Sequence, residues 1–562
     1  MAKMSGKRAF LELLKAEEIT LLFGNPGTTE LPLMDALAVE EGLRYILALQ
    51  EASVMAMADG YAQASGGLAF ASLHVSPGLG NAMGMLYDAT KAGSPILVTA
   101  GQHDQSFTVT EPILWGDLPR LARPLVKWAE EVRRVEDLPR LVRRAAKTAL
   151  APPTGPVFLS LPSDVLNAEI DFVPTKPSRV APLFKGDPDA VKAAARILAR
   201  AERPLLIAGD AVAKSRAFAE IVAFAELLAV PVYAEAIPNT ASFPASHPLF
   251  RGAMTRLAPA IRAILERHDV LVSLGGDLFT MSLPSAVEPV PEGLPIVHLD
   301  TDPWELGKNY PEAAAILGDP KTTLPELCAL IESERTAGER ESARRRLAAE
   351  KEAAERAREA LWAKAQEEAG LLPIRPLALL ARVAKALPPE TVVIDETISS
   401  GAGLRSFLKS DDPQSFFGVR GGGIGWGIPA AIGAKLALPD RPLVALVGDG
   451  SAMYTCQALW TAAHERVGVI VLILNNGGYR ILKQRTNALR GFAQQSGRYV
   501  GMDLADPALD FVGLARAMGV EGRRITRLEE LDAALLEALP RALRENRPFL
   551  FDVAVDGSFA PV

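Results

Sequence analysis

Short apolar runs alternate with stretches of helical spacing along most of the chain, and that alternation predicts parallel, doubly wound α/β sheets. From residue 5 to about 180 the predicted strands are TLLF (20–23), RYILA (44–48), LAFASLH (68–74), PILVTA (95–100) and VFLSLP (157–162). A segment punctuated by Pro and Asp (163–190) reads as a linker. A second α/β unit follows, with PLLIAG (204–209), PVYAE (231–235), VLVSLGG (270–276) and PIVHLD (295–300). From about 372 a third carries VVIDE (392–396), PLVALVG (442–448), VIVLILN (469–475) and FLFDVAV (549–555). Residues 332–369 are rich in Ala, Glu and Arg with opposite charges at helical spacing, which predicts a solvated connecting helix. The expected organisation is an N-terminal unit (1–180), a central unit (190–331), a charged helical linker (332–371) and a C-terminal unit (372–562). The first and third units share a similar rhythm.

Composition narrows the setting. Of the 562 residues 49% are hydrophobic and 23% charged, the balance of a globular protein, and the net charge of −7 comes with no polybasic block. Nucleic-acid and membrane-surface binding therefore gain no support. Cys328 and Cys456, the only cysteines, lack metal-ligand spacing and imply no disulfide framework, which fits a reducing cytoplasm. The N-terminus mixes charges into a helical pattern, unlike a targeting segment. The longest apolar run, near Val467 to Leu474, has the length of a buried strand and not of a membrane span.

The strongest local signal is a strand ending in Gly448-Asp449-Gly450 followed by one ending in Asn475-Asn476-Gly477. If the two are parallel neighbours, their polar tips lie side by side at the carboxyl edge, where such sheets bind ligands. A carboxylate and an amide oxygen suit a hard cation such as magnesium. Gly450 and Ser451 open the next helix, whose backbone N–H groups and dipole favour a diphosphate. In the first unit, Glu51 follows the strand RYILALQ at the start of a helix, where an acid ordinarily only complements the dipole. Two glycine-rich runs, PGLGNAMG (77–84) and GGGIGWG (421–427), lack the spacing and the acidic residue of a nicotinamide fingerprint.

The GDGS and NNG pair matches the signature of thiamine-diphosphate enzymes. Together with FGNPGTTELP (23–32), RYILALQEAS (44–53), ADGYAQAS (58–65), GNAMG (80–84), RPLVKW (123–128), GIPAAIG (427–433) and ALWTAA (458–463), it makes the chain resemble the thiamine-diphosphate-dependent 2-oxo acid decarboxylase and acetolactate synthase family. Within that family it resembles the benzoylformate decarboxylase branch in particular. The likeness implies that Asp449, Asn476 and the Gly478 carbonyl hold magnesium bridging to the cofactor diphosphate. It also implies that Glu51 is the acid beside the aminopyrimidine, that Gly422 meets that ring through its carbonyl, and that Ile424 bends the cofactor. Ser399, Gly450, Ser451 and Tyr479 would line the diphosphate end, with Ile398 standing where relatives carry a second hydroxyl. Thr28 replaces a serine contacting the substrate carboxylate, His74 falls on an active-site histidine, and Asn25 converges on the same edge. An imidazole there could exchange protons with a reacting oxygen near neutrality.

Two departures accompany the likeness. The branch has a second catalytic histidine in its middle unit, but GGDLFTMSLPS (275–285) contains none; His103 is the candidate replacement if its loop reaches the pocket. Around the expected pocket Ile113, Leu114 and Trp115 keep an apolar wall, Ile481 is larger, and Arg420, Arg480 and Arg485 add charge. The implied activity is decarboxylation of a small 2-oxo acid, with the remaining fragment protonated or captured by an acceptor. An acetolactate-synthase-type transferase, an oxalyl-CoA decarboxylase, a flavin-dependent oxidase and a catalytically silent binder are the alternatives, although nothing in the central unit demands a flavin. Relatives place each cofactor between first and third units of different subunits, so a homodimer or homotetramer is implied.

Overall fold

The structure is a computed structural model that describes residues 2–173, 176–281 and 283–559. It contains three six-stranded sheets with helices packed around them, as the alternating pattern predicts. In spatial order the first sheet runs Arg44–Leu47, Leu21–Gly24, Ala69–Leu73, Ile96–Gln102, Val157–Pro162 and Ala129–Glu131, with every pair parallel. The third runs Phe416–Gly418, Val392–Glu396, Leu443–Gly448, Ile470–Asn475, Phe549–Ala554 and Glu521–Ile525. Numbered within each sheet, both follow the order 2-1-3-4-6-5. The central sheet differs: Phe250–Ala253, Val232–Ala234, Pro204–Ala208, Val270–Leu274, Ile296–Asp300 and Ala314–Leu317 follow 3-2-1-4-5-6, all parallel. A short antiparallel pair, Ala2–Ser5 with Glu169–Phe172, lies where the sequence reads as helix and linker.

The chain divides into two compact units, one of Met1–Val180, Val393–Ser400 and Val419–Val562, the other of Ala181–Val392 and Gly401–Gly418. Inside the first unit, the helix Glu51–Ser65 packs directly on the helix Gly427–Ala437. Their approach depends on two glycines: a Cβ on Gly60 would stand 2.2 Å from the Ala430 carbonyl oxygen, and one on Gly433 1.9 Å from that of Met57. Backbone contact of this kind leaves no room for a side chain. The inner strands are buried on both faces, as in Ala69–Leu73 and Ile470–Leu474, which explains their continuous apolar runs.

The charged segment is the helix expected and is largely solvated, with one narrow buried seam. Ala337–Glu367 is a single helix of 31 residues, opened by Thr336, whose Oγ1 accepts the Glu339 N–H while Glu339 accepts the Thr336 N–H. It docks within the second unit along a narrow seam. Ala343, Ala354 and Ala365, eleven residues or three turns apart, are buried. Arg346 donates to the Leu228 and Glu202 carbonyls at 2.7 and 2.8 Å, and Trp362 stacks edge-on against Phe407. Arginine satisfies helix-end carbonyls that apolar residues would leave orphaned. Among the described residues no helix is long and apolar enough to cross a membrane.

Candidate active site

In a doubly wound sheet the ligand crevice opens where the strand order reverses, between strands 1 and 3 of the 2-1-3-4-6-5 order. In the first sheet those strands are Leu21–Gly24 and Ala69–Leu73. Asn25 and Thr28 follow one of them, and His74 follows the other. His74 Nδ1 lies 2.9 Å from Glu30 Oε2 and 3.2 Å from Thr29 Oγ1. Thr29 Oγ1 donates to Glu30 Oε1 at 2.8 Å, so its oxygen is left to accept and Nδ1 carries the proton. Nε2 is then the nitrogen available for chemistry. Glu30 is 3% exposed, and its two oxygens also accept the backbone N–H groups of Gly27 and Gly101 at 2.9 and 2.7 Å. That carboxylate raises the proton affinity of His74 above the ordinary imidazole range, against the opposing effect of burial.

Glu51 is the first residue of its helix, behind Gln50, whose side chain accepts the Ala52 and Ser53 N–H groups. It is 7% exposed and accepts from Asn81 Nδ2 at 3.1 Å. The acid and the Cβ end of the His74 side chain crowd one backbone point: a Cβ on Gly78 would lie 2.7 Å from His74 Cβ and 2.9 Å from Glu51 Oε1. Gly78, in the first turn of the helix Ser76–Ala92, is thus a glycine because His74 and Glu51 meet there. Thr28 stands exposed at the start of the short turn Thr28–Glu30, and Asn25 is half-buried; it is their neighbours Thr29 and Glu30 that touch His74. Those two were not singled out in the sequence, nor was Asn81. A Gly-x-x-Glu capping pattern at 27–30 hints at a structural acid, but the partner 44 residues away is a tertiary fact.

At the third sheet, Leu443–Gly448 and Ile470–Asn475 pair in parallel, with Gly448 opposite Leu474, so the two tips are neighbours as expected. Asp449 is 2% exposed; its Oδ1 accepts from Gly450 N–H at 3.0 Å and its Oδ2 from Gly478 N–H at 3.1 Å. Burial pushes its carboxyl above the usual range, and these N–H groups pull it back. Asn476 is half-buried, Gly477 adopts a left-handed φ of 73°, and Asn475 donates to Asp552 at 2.9 Å. The Gly478 carbonyl accepts the Arg480 N–H at 2.9 Å, which leaves one lone pair for a cation. Tyr479 lies so close over Gly450 that a Cβ there would sit 2.4 Å from its ring.

The helix opened by Asp449 is shorter than expected. It spans Asp449–Ala452, a single turn, and a second helix begins only at Ala458. One turn sums too few peptide dipoles to act as a macrodipole, so any anion preference at Gly450 and buried Ser451 rests on individual N–H groups. Ser399 is half-buried in the turn after Val392–Glu396, where its carbonyl accepts from Arg480 Nη1 at 3.4 Å; Arg480 Nε also donates to Ser558 O at 2.9 Å. This arginine therefore ties two loops together. Gly422 is exposed with φ of 80°, and Ile424 is half-buried.

Three family profiles match the chain: the N-terminal TPP binding domain of thiamine pyrophosphate enzymes over residues 4–114, their central domain over 191–327, and their C-terminal TPP binding domain over 400–553. The chain belongs to the thiamine pyrophosphate enzyme family. Among its relatives, the benzoylformate decarboxylase of Pseudomonas aeruginosa is 34% identical over 556 residues, covering 97% of this chain and 98% of the relative. A probable acetolactate synthase large subunit of Methanococcus aeolicus is 29% identical over 576 residues, covering 99% and 93%. Of solved structures, the thiamine diphosphate-dependent 4-hydroxybenzoylformate decarboxylase of Rhodococcus jostii superposes with a TM-score of 0.85 at 32% identity over 100% of both chains. The benzoylformate decarboxylase of Polynucleobacter necessarius gives 0.86 at 31%, covering 99% of this chain and all of its own. Thiamine diphosphate is thus the cofactor for which the first and third sheets are built. A buried carboxylate, an amide oxygen and a half-used carbonyl at one edge are the donor types a hard cation takes.

His103 follows the strand Ile96–Gln102 on the same carboxyl edge as His74. Its ring meets Phe107 edge-on at 5.7 Å, and its Nε2 is buried without a hydrogen-bond partner among the described residues. The apolar wall beyond it is open in the single chain: Ile113 is 83% and Trp115 39% exposed, and Leu114 takes a left-handed φ of 74°. Gln102 Nε2 anchors that loop by donating to Gly116 O at 2.9 Å.

Proposed function

We propose that the protein is a thiamine-diphosphate- and magnesium-dependent decarboxylase of 2-oxo acids, acting on an aromatic or other bulky apolar substrate. The observation that carries this reading is the meeting of Glu51 and the Glu30-tied His74 at Gly78, at the switch point of the sheet matched by the family's N-terminal cofactor-binding profile. Bound cofactor supplies the electron sink into which the carbon–carboxylate bond electrons flow. Asp449, Asn476 and the Gly478 carbonyl hold the magnesium, and Ser399, Gly450, Ser451 and Tyr479 line the diphosphate. Gly422 and Ile424 would hold the pyrimidine end of the cofactor, and Glu51 would be the acid available for proton exchange beside it. Thr28 orients the substrate carboxylate, and Asn25 joins the residues that bind the cofactor. His74, oriented through Nδ1 by Glu30, delivers or removes a proton at the reacting oxygen or carbon through Nε2.

Because its carboxylate partner Glu30 raises the proton affinity of His74, the site is suited to ending the cycle with a proton, the step that releases an aldehyde. Likeness to two aromatic 2-oxo acid decarboxylases supports an aromatic substrate. The open wall at Ile113 and Trp115 supports a homodimer or homotetramer, in which a second subunit completes the pocket. The deciding experiment supplies thiamine diphosphate and magnesium with a panel of aliphatic and aromatic 2-oxo acids and follows carbon dioxide, aldehyde and ligated products. Aldehyde from an aromatic acid is expected. Ligated product from pyruvate alone would replace the reading with a transferase, and silence across the panel would overturn it.

A further inference from the structure

The run GGGIGWG (421–427), which matches no nucleotide fingerprint, is shaped by three buried acids. A Cβ on Gly421 would lie 2.1 Å from Asp88 Oδ1, and one on Gly423 2.5 Å from Asp88 Oδ2. The Asp88 carboxyl is therefore wedged between two glycines, and it accepts the Gly423 N–H at 3.0 Å. Glu396 accepts the N–H groups of Gly425, Trp426 and Gly427 at 2.5, 3.3 and 2.7 Å, and a Cβ on Gly427 would stand 2.9 Å from its Oε2. Asp59 Oδ2 accepts the indole N–H of Trp426 at 2.8 Å, while its Oδ1 accepts from Gln63 at 2.9 Å and from Ser94. Each of the three acids is 1% exposed.

Three neighbouring carboxylates in a dry interior cannot all be charged without strong compensation. Donors are distributed unequally among them. Glu396 has three N–H groups and Asp59 has an indole, an amide and a hydroxyl. Asp88 has one N–H on Oδ1, and its buried Oδ2 has no hydrogen-bond partner among the described residues. As an anion Asp88 is the least supported of the three, and Oδ2 is where a proton would reside.

We infer that Asp88 is a positioning residue which holds Gly421–Gly423 as the neutral acid, so that the setting of the loop carrying Gly422 and Ile424 is tied to one buried proton. The inference rests on the proposed function for its consequence, since only there do Gly422 and Ile424 meet the cofactor. Burial pushes Asp88 up to about 8 and Glu396, at the end of Val392–Glu396, up to about 7; Asp59 on the helix Glu51–Ser65 adds to the rise at Asp88, and Glu396 adds to it once ionised. A released loop would hydrate Asp88 and return it to about 3.9. Below that value both states hold the proton and the set loop keeps its full advantage. Between there and about 8 the set loop must retain a proton that the released one has lost, so its advantage declines as pH rises and then levels off.

The test compares wild type with Asp88→Asn, whose amide oxygen still accepts from Gly423, and with Asp88→Ala. Binding of magnesium and thiamine diphosphate is followed by tryptophan quenching from pH 6 to 8.5, and hydrogen exchange of the 421–427 peptide is followed without cofactor. Taking the ratio of wild type to Asp88→Asn at each pH cancels the titration of the cofactor and the intrinsic pH dependence of exchange. Both ratios are expected to be smallest at pH 6, the low end of the range. The Kd ratio should rise at least about threefold by pH 8, within the linkage limit of about tenfold per pH unit, and wild-type exchange should quicken in step. Asp88→Ala should bind weakly at every pH. Flat ratios overturn the inference. If wild type binds no cofactor at any pH, the proposed function falls, and the exchange ratio still decides the role of Asp88.

Discussion

The first sheet and the central sheet are both six-stranded, parallel and open a crevice at a switch point, yet they treat it in opposite ways. At the first, the crevice presents groups that remain available: Nε2 of His74, Glu51 with a single amide donor on one oxygen, and a glycine at 78 that keeps the space between them clear. At the central sheet the switch point lies between Pro204–Ala208 and Val270–Leu274, and it is plugged. Glu235, 3% exposed, takes the Asp210 N–H at 3.0 Å, and a Cβ on Gly209 or Gly276 would strike its Oε1 at 2.3 or 2.5 Å. Asp210 in turn accepts both Thr240 N–H and Oγ1–H. Where a dinucleotide fold would seat a pyrophosphate against open backbone N–H groups, this one has two acids already bonded to them. The contrast teaches that strand order makes a place for a ligand, and that chemistry at the loop tips decides whether the place is used.

The contrast breaks most visibly if the used crevices are disarmed. In the third sheet, Asp449→Ala removes the only carboxylate of the proposed cation site and leaves the Gly450 and Gly478 N–H groups facing a gap. Magnesium-dependent binding of thiamine diphosphate, followed by fluorescence quenching, is expected to weaken by roughly 100-fold or more. Binding at wild-type strength would remove Asp449 from the metal site. Glu51→Gln preserves shape and the contact with Asn81, so cofactor binding should persist while kcat falls by roughly 10²–10⁴-fold, the range for a lost acid–base group. Near-normal turnover would assign Glu51 to helix capping.

A finer prediction concerns the imidazole. Glu30 is the first cause of the raised proton affinity of His74, so Glu30→Gln should move the His74 limb of the pH profile of kcat/KM to lower pH. The sign follows from what is removed: the anion stabilises imidazolium, and without it the proton leaves earlier. The stability that this pair contributes is fully present below the ordinary imidazole value near 6.5 and is lost as pH rises through the elevated native one. An unmoved limb would show that another group, such as His103, sets it.

How far the sequence carried these conclusions depends on burial. Every inner strand announced itself, because a strand covered on both faces must be apolar throughout. The strands that went unread are edges: Ala129–Glu131, Phe250–Ala253, Ala314–Leu317, Phe416–Gly418 and Glu521–Ile525. Glu521–Ile525 reads EGRRI with only Ile525 buried, and Ala314–Leu317 alternates buried and exposed, patterns that local composition does not separate from loop. The site follows the same logic. Asp449 and Asn476 were legible because two strand tips had to be neighbours, and Glu51 because a resemblance pointed to it. Glu30, Asn81, Asp88 and Glu396 were not, since their partners lie 44, 30, 335 and 31 residues away respectively.

The smallest effect is expected at the plugged crevice, and it tests the comparison from its other side. Glu235→Ala removes an acceptor from the buried Asp210 N–H and opens space beside Gly209 and Gly276. An orphaned buried donor costs about 1–3 kcal/mol, which for a unit of this size lowers Tm by roughly 2–10 °C. Decarboxylase turnover below that temperature should stay within about twofold of wild type, because no group at either cofactor-facing edge is touched. Wild-type protein should also leave the fluorescence of added flavin adenine dinucleotide unchanged, since the pyrophosphate would have to displace two carboxylates to reach the strand ends. Quenching by wild type would mean that Glu235 swings aside and the central crevice is a working site. Quenching only by Glu235→Ala would mean that the fold still offers the dinucleotide seat and that one side chain closes it.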